Sequence, residues 1–332
     1  MKDDRRGVGN LALMLAASLT LVLVAVVLPC QAQKLNGYNI DANDLSVVGI
    51  SSGGAMAVQM HVAFSRTVKG AGIIAGVPYW CTWIELSIHS MDGTTYAYDM
   101  GSIDNPKYLQ NSRVWLFSGQ KDTVVDTGVV KKAKMYYEYY ITNASSVAMV
   151  TNISSEHAWI TNNYGNACDY LGDPYINNCN FDASGAMLRH FYPQSLVNPR
   201  AAALATNIFA FSQQYYTPAP PASISMGQTG YVYVATACQQ GALCKLVVAF
   251  HGCEMSIPDI KNAYYVHSGL NEWAEANNMV VLYPQAIKSS DLPYNPKGCW
   301  DWWGYTGEDY ATQAGLQMAT IKNMINALAR TQ

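Results

Sequence analysis

Short apolar runs alternate with amphipathic stretches along most of the chain. Leu45-Ser-Val-Val-Gly-Ile50, Gly72-Ile-Ile-Ala-Gly76, Val114-Trp-Leu-Phe117 and Val147-Ala-Met-Val150 have the length and composition of buried strands, and residues 55–64 and 126–140 read as helices between them. A second block repeats the alternation. Tyr231-Val-Tyr-Val234, Lys245-Leu-Val-Val-Ala-Phe250 and Met279-Val-Val-Leu-Tyr283 read as strands, with a helix near residues 269–277. A last amphipathic helix puts Ala314, Met318, Ile321, Ile325 and Leu328 on one face. Strands that are apolar throughout are covered on both sides, so the expected fold class is α/β, a mostly parallel central sheet flanked by helices. Thr217-Pro-Ala-Pro-Pro-Ala222 between the blocks has the composition of a linker, but neither block holds enough strands for a sheet of its own. One domain is expected, with this stretch crossing its surface. Residues 79–111 show no regular period and are left to cap or wall a site.

The N-terminus stands apart. Lys2, Arg5 and Arg6 precede an apolar run from Leu11 to Pro29 and a small-residue end, Cys30-Gln-Ala32. Residues 1–32 read as a secretory signal peptide; the rival is a retained anchor, since roughly 19 apolar residues just span a bilayer. Residues 33–332 are then a single domain without a separate substrate-binding domain. Export makes disulfides the default use of Cys81, Cys168, Cys179, Cys238, Cys244, Cys253 and Cys299. Three bridges and one free thiol can be drawn in about 105 ways. Cys238 and Cys244 flank a short turn and Cys168 and Cys179 bracket one loop, so these pairs are expected, with Cys253–Cys299 the third and Cys81 free. The chain has no Cys-x-x-Cys and no His-Glu-x-x-His, so no metal is expected. A net charge of -3 with 13% charged residues argues against a nucleic-acid surface, and 50% hydrophobic residues argue against disorder.

Gly49-Ile-Ser51-Ser-Gly53 lies where a strand ends and a helix begins, the context of a nucleophile elbow. The five-residue pattern alone recurs by chance in about one chain in ten. A serine nucleophile needs a base, and the base an acid, from loops after later strands in the order Ser, Asp, His. Asp122 follows the Val114–Phe117 run, with Asp126 as rival acid, and His157 follows the run ending at Val150. His61, His89, His190 and His267 follow no such strand and read as ordinary polar groups. The oxyanion hole is expected from the N–H groups of Ser52 and Cys253, the latter in His251-Gly252-Cys253. An ordinary α/β-hydrolase carries several strands and its His-Gly loop upstream of the nucleophile, whereas here the matching strands come last. Joining the last helix to residues 39–45 restores the usual order, which reads as a circular permutation.

Ile40-Asp-Ala-Asn-Asp-Leu-Ser-Val-Val-Gly-Ile-Ser51-Ser-Gly-Gly-Ala-Met56, the late His251-Gly-Cys253, and Gly298-Cys-Trp-Asp-Trp-Trp-Gly304 together resemble the extracellular poly(3-hydroxybutyrate) depolymerases of the permuted single-domain type. Pro174-Tyr-Ile-Asn-Asn-Cys179-Asn-Phe-Asp-Ala-Ser-Gly-Ala186 adds a second matching stretch, and the similarity runs from about residue 36. The resemblance implies a secreted serine esterase cleaving poly(3-hydroxybutyrate) or its oligomers through an acyl-enzyme. Ser51, Asp122 and His157 would be its triad and Ser52 and Cys253 its oxyanion donors. It implies no cofactor, a polyester or oligoester partner, no nucleic acid, no membrane after cleavage, and a monomer. The chain departs from the family in lacking a second cysteine near Cys81. Trp300, Trp302 and Trp303 are each more readily core than site, but together beside Cys299 at least one is expected to face substrate. A carbohydrate esterase of feruloyl or acetylxylan type and a catalytically silent surface-binding protein are the alternatives. Asn143-Ala-Ser and Asn152-Ile-Ser are glycosylation sequons if the source is eukaryotic.

Overall fold

The computed structural model describes residues 33–81, 88–196 and 200–330, so the signal peptide expected at 1–32 lies outside the described residues. The first apolar run is extended at its N-terminal side into strand β1 (Ile40–Ile50), followed by helix α1 (Ser52–Ala63) and strand β2 (Val68–Ile74), which returns parallel to β1. β2 starts four residues before the predicted run and stops two residues short of its end, where Ala75 turns out of the strand at φ 48°. Helix α2 (Ile88–Asp99) follows, then strand β3 (Arg113–Phe117), helix α3 (Thr127–Tyr140) and strand β4 (Val147–Val150), both strands adding in parallel.

Three short strands, β5 (Trp159–Thr161), β6 (Asn166–Ala167) and β7 (Ile176–Asn178), make a small separate sheet, and helix α4 (Ala183–Phe191) packs after it. The C-terminal half starts with strands β8 (Ile208–Ser212) and β9 (Thr229–Val234), short helix α5 (Thr236–Gln239) and strand β10 (Cys244–Phe250). It ends with helices α6 (Ile257–Ile260), α7 (Ala263–His267) and α8 (Leu270–Ala276), strand β11 (Met279–Tyr283) and helix α9 (Leu316–Leu328). Ala314 falls before α9 and is exposed, correcting its place on the predicted face; Met318, Ile321, Ile325 and Leu328 are buried as expected.

The eight-stranded sheet runs β4-β3-β2-β1-β10-β11-β9-β8, with β9 antiparallel to both its neighbours, β11 and β8, and every other pair parallel. The two sequence blocks therefore meet in the middle, where β1 lies beside β10. Every residue of α1 is buried, as suits a helix that is apolar all round. The Tyr38 N–H donates to the Leu328 carbonyl at 2.8 Å, so the end of α9 abuts the start of β1. Counted from β8, the chain passes through β10, which leads into the His251-Gly252-Cys253 loop, then β11 and α9, and reaches β1 and the elbow in the usual α/β-hydrolase order. The fold is a circularly permuted α/β-hydrolase.

Candidate active site

Ser51 occupies the turn between β1 and α1 at φ 57° and ψ −122°, a conformation that costs a non-glycine residue on the order of 1–3 kcal/mol. Its N–H donates to the Ile74 carbonyl at 2.9 Å, which fixes the turn to the neighbouring strand. The flanking glycines are dictated by space. A Cβ on Gly49 would lie 2.2 Å from the Gly53 carbonyl oxygen, and one on Gly53 would lie 2.3 Å from those of Phe250 and His251. Ser52 opens α1, and N–H groups of a first helical turn have no acceptor within the helix. Its hydroxyl accepts from the Trp300 N–H at 3.2 Å, joining the elbow to the Trp-rich loop.

The loop after β10 carries His251, Gly252 and Cys253. The Ala286 N–H can only donate, so His251 Nε2 accepts it at 3.1 Å, and Nδ1–H donates to the Gly252 carbonyl at 2.7 Å. Burial pushes the pKa of this imidazole down to about 4, consistent with the neutral tautomer those bonds require. The carbonyl it holds belongs to the same peptide plane as the Cys253 N–H. From the other side the Cys253–Cys299 disulfide secures the loop (S–S 2.06 Å), and the Glu254 N–H donates to the Lys297 carbonyl at 2.7 Å. Cys168–Cys179 and Cys238–Cys244 are also bridged and Cys81 is a buried free thiol, the pattern expected from the sequence.

Asp122 and His157 come together at the edge of the sheet. The His157 Nδ1–H donates to Asp122 Oδ2 at 2.9 Å, with Oδ1 at 3.1 Å, and both side chains are more than nine-tenths buried. Asp122 Oδ1 also accepts the N–H groups of Val124 and Val125 at 2.9 and 2.8 Å, so the carboxylate is held by its own loop. The rival acid, Asp126, instead caps α3 by accepting the Gly128 N–H at 2.6 Å. His61 is buried against the Tyr137 hydroxyl, His190 bonds the Ser146 carbonyl and His267 stacks on Tyr164. Those three follow their ordinary readings. His89 lies where side chains are outside the description.

Ser51, Ser52 and Cys253 open into a cavity of about 540 Å³. Its other walls are mostly apolar: Val77, Val124, Val125, Pro296, Trp302 and Trp303. The two indoles meet edge to face at 5.7 Å. Trp300 does not belong with them. It is fully buried, packed 5.2 Å from Phe250 and 5.4 Å from the His251 ring, and it does not line the cavity. The turn that follows Trp302 is gathered by Asp301, a buried carboxylate that sequence reasoning passed over. Asp301 Oδ1 accepts the N–H groups of Trp303, Gly304 and Tyr305, and Oδ2 accepts the N–H and hydroxyl of Thr306. An Asp three residues before a glycine in a polar-capped turn was the available signal. Among the described residues no group of three or more His, Cys, Asp or Glu has the arrangement of a metal site, and no helix is long and apolar enough to cross a membrane.

No protein-family model matches the chain. A polyhydroxybutyrate depolymerase of Talaromyces funiculosus is 33% identical over 320 residues, covering 90% of this chain and 93% of that relative. The chain belongs to the polyhydroxybutyrate depolymerase family. A second relative, a poly(3-hydroxybutyrate) depolymerase of Delftia acidovorans, is 40% identical over 95% of this chain. The chain spans 65% of that relative's length. Two solved depolymerase structures superpose on it. One, carrying a serine-to-alanine substitution and complexed with an R3HB trimer, is 31% identical with a TM-score of 0.83, covering 90% of this chain and 99% of its own. The other, from Penicillium funiculosum, is 30% identical with a TM-score of 0.82 over the same shares. The fold and the family expected from the order of motifs are both borne out.

Proposed function

We propose that the chain is a serine esterase that hydrolyses the ester bonds of poly(3-hydroxybutyrate) or its oligomers. The observation that carries this reading is the conjunction of a strained Ser51, opening into an apolar cavity, with a buried Asp122–His157 pair on the adjoining loops. Ser51 attacks the ester carbonyl while His157 takes its proton, Asp122 holding the imidazole in the tautomer that leaves Nε2 free to accept. The tetrahedral oxyanion is met by the N–H groups of Ser52 and Cys253, each worth about 2.7–4 kcal/mol by analogy with other acyl-transfer sites. His157 then protonates the departing alcohol, and water releases a hydroxy acid or short oligomer from the acyl-enzyme.

The cavity chemistry favours a polyester over a sugar. Its walls offer aliphatic and indole surface, suited to the methyl groups and backbone of a hydroxybutyrate chain. The relative complexed with an R3HB trimer supports a short polyester segment as the occupant. Three disulfides support secretion, because such bridges persist in oxidising compartments. We assign the chain to the extracellular space, acting as a monomer.

The test is clearing of a turbid poly(3-hydroxybutyrate) suspension by the purified protein, beside Ser51→Ala and with a short-chain p-nitrophenyl ester as a soluble control. Clearing by the parent alone is expected. Ester cleavage without clearing would move the substrate to soluble oligomers or decorated polysaccharide, and a folded protein inert on both would overturn the reading.

A further inference from the structure

The proposed reaction needs two loops to act together, the one after β3 that carries Asp122 and the one after β4 that carries His157. Beyond the sheet their backbones stay hydrogen-bonded to each other. The N–H groups of Ser118, Gln120 and Lys121 donate to the carbonyls of Val150, Ile153 and Ser155 at 3.1, 2.9 and 3.0 Å. The approach is so close that a Cβ on Gly119 would lie 2.2 Å from the Ser155 carbonyl oxygen.

Past Lys121 a side chain takes over from this ladder. Glu156 is 8% exposed, and its carboxylate accepts from both loops at once. Oε1 takes the Thr123 hydroxyl at 2.7 Å, and Oε2 takes the Thr123 N–H at 3.2 Å and the His157 N–H at 2.8 Å. Thr123 follows Asp122 directly, so the carboxylate grips the chain next to the acid and the main chain of the base itself. Behind it, the Glu156 N–H donates to the Cys168 carbonyl at 3.0 Å, and Cys168 is bridged to Cys179. A carboxylate suits this position because it only accepts, and three donors converge on it.

We propose that Glu156 is a positioning residue that clamps the Asp122 loop to the His157 loop, so that the acid and base move as one body. The inference rests on the triad reading above. It is not a contact with substrate; its effect is on the reach of the imidazole towards Ser51, where a misplacement of about 1 Å is worth about 10²-fold in rate.

Three variants test it on a soluble p-nitrophenyl ester. In Glu156→Gln the amide oxygen can still receive both N–H groups while the amide nitrogen donates to the Thr123 hydroxyl, which reverses its role. That variant is expected to hold kcat within about threefold, whereas Glu156→Ala is expected to lower kcat roughly 30–100-fold with KM within about twofold. Thr123→Val, losing one tie, should fall between them, and it carries the test if the alanine variant does not fold. A folded Glu156→Ala with unchanged kcat, a loss confined to KM, Glu156→Gln as impaired as Glu156→Ala, or an unchanged Thr123→Val would each overturn the proposal. A second readout needs no turnover: the downfield proton resonance of His157 Nδ1–H, bonded to Asp122. It should persist in the parent and Glu156→Gln and be lost to exchange in Glu156→Ala; its persistence in Glu156→Ala contradicts the clamp. A parent that shows the resonance but cleaves no ester would sink the esterase reading and leave the clamp to the resonance.

Discussion

The proposed machinery is held by two different kinds of force in two parts of the sheet. At the centre, the elbow and the oxyanion loop follow adjacent strands β1 and β10, and backbone fills the space where side chains would stand around Gly49 and Gly53. At the edge, the Asp122 and His157 loops follow β3 and β4 and, past the backbone ladder that ends at Lys121, are held by polar side chains, with buried carboxylates gathering N–H groups. The two histidines show the same contrast. His251 at the centre is wholly buried with both nitrogens committed to backbone groups, while among the described residues His157 at the edge has only Nδ1 engaged, leaving Nε2 for the proton in the proposed reaction. Steric locking should make the centre intolerant in stability, and polar locking should make the edge intolerant in rate.

Substitutions can break that contrast, and the largest effect belongs to the edge. Asp122→Asn should lower kcat by about 10³–10⁴, through loss of the correct His157 tautomer, with the thermal midpoint shifted little. Equal damage to stability and rate, read by calorimetry and steady-state kinetics, would contradict the division. At the centre, Gly53→Ala places a methyl 2.3 Å from two carbonyl oxygens, so it should cost about 3 kcal/mol or more of stability or prevent folding. A urea midpoint like the parent's would mean that the elbow is softer than its packing implies.

The buried central histidine gives a pH signature of comparable or smaller size. The pKa of His251 is lowered from 6.5 to about 4, so its contribution to stability is complete above pH 6.5 and is lost as pH falls through about 4. The full excursion is worth up to roughly 3 kcal/mol. His61, buried and lowered to about 3, adds in the same direction. Urea midpoints should hold from pH 7.5 to about 6.5 and fall from there towards pH 4; a profile flat throughout would contradict neutral burial. The smallest effect is expected in the cavity wall. Asp301→Asn replaces one acceptor oxygen with a donor facing the Thr306 N–H, loosening the turn that presents Trp302 and Trp303. KM for hydroxybutyrate oligomers should rise about tenfold, with kcat on a small ester changed less than threefold. Equal changes on both substrates would show that this wall does not select for chain length.

Much of the centre was legible from sequence because its determinants are local. A Gly-x-Ser-x-Gly between a strand run and a helix run implies the elbow, and the displaced His-Gly loop implies the permutation now seen where Tyr38 meets Leu328. The edge was half legible. The loops after two strands nominated Asp122, Asp126 and His157, but only the fold separates an acid that faces His157 from one that caps α3. Glu156 was invisible as a clamp because two of its three donors, both on Thr123, lie on another loop, brought close only by β3–β4 pairing. Strands β5, β6 and β7 span three residues or fewer, too short for periodicity to register, and β8 is a half-exposed edge strand. Trp300, Trp302 and Trp303 looked alike because their separation depends on the turn around Asp301, which buries the first and presents the other two.

The central claim is that Ser51 is the nucleophile activated by this divided machinery. Its most direct test is labelling with a serine-directed fluorophosphonate, followed by intact mass and peptide mapping alongside residual ester turnover. One adduct per chain, on the peptide containing Ser51, with turnover falling in proportion to labelling, is the predicted result. Turnover that survives full labelling of Ser51, or an adduct on a different residue that abolishes it, would contradict the account.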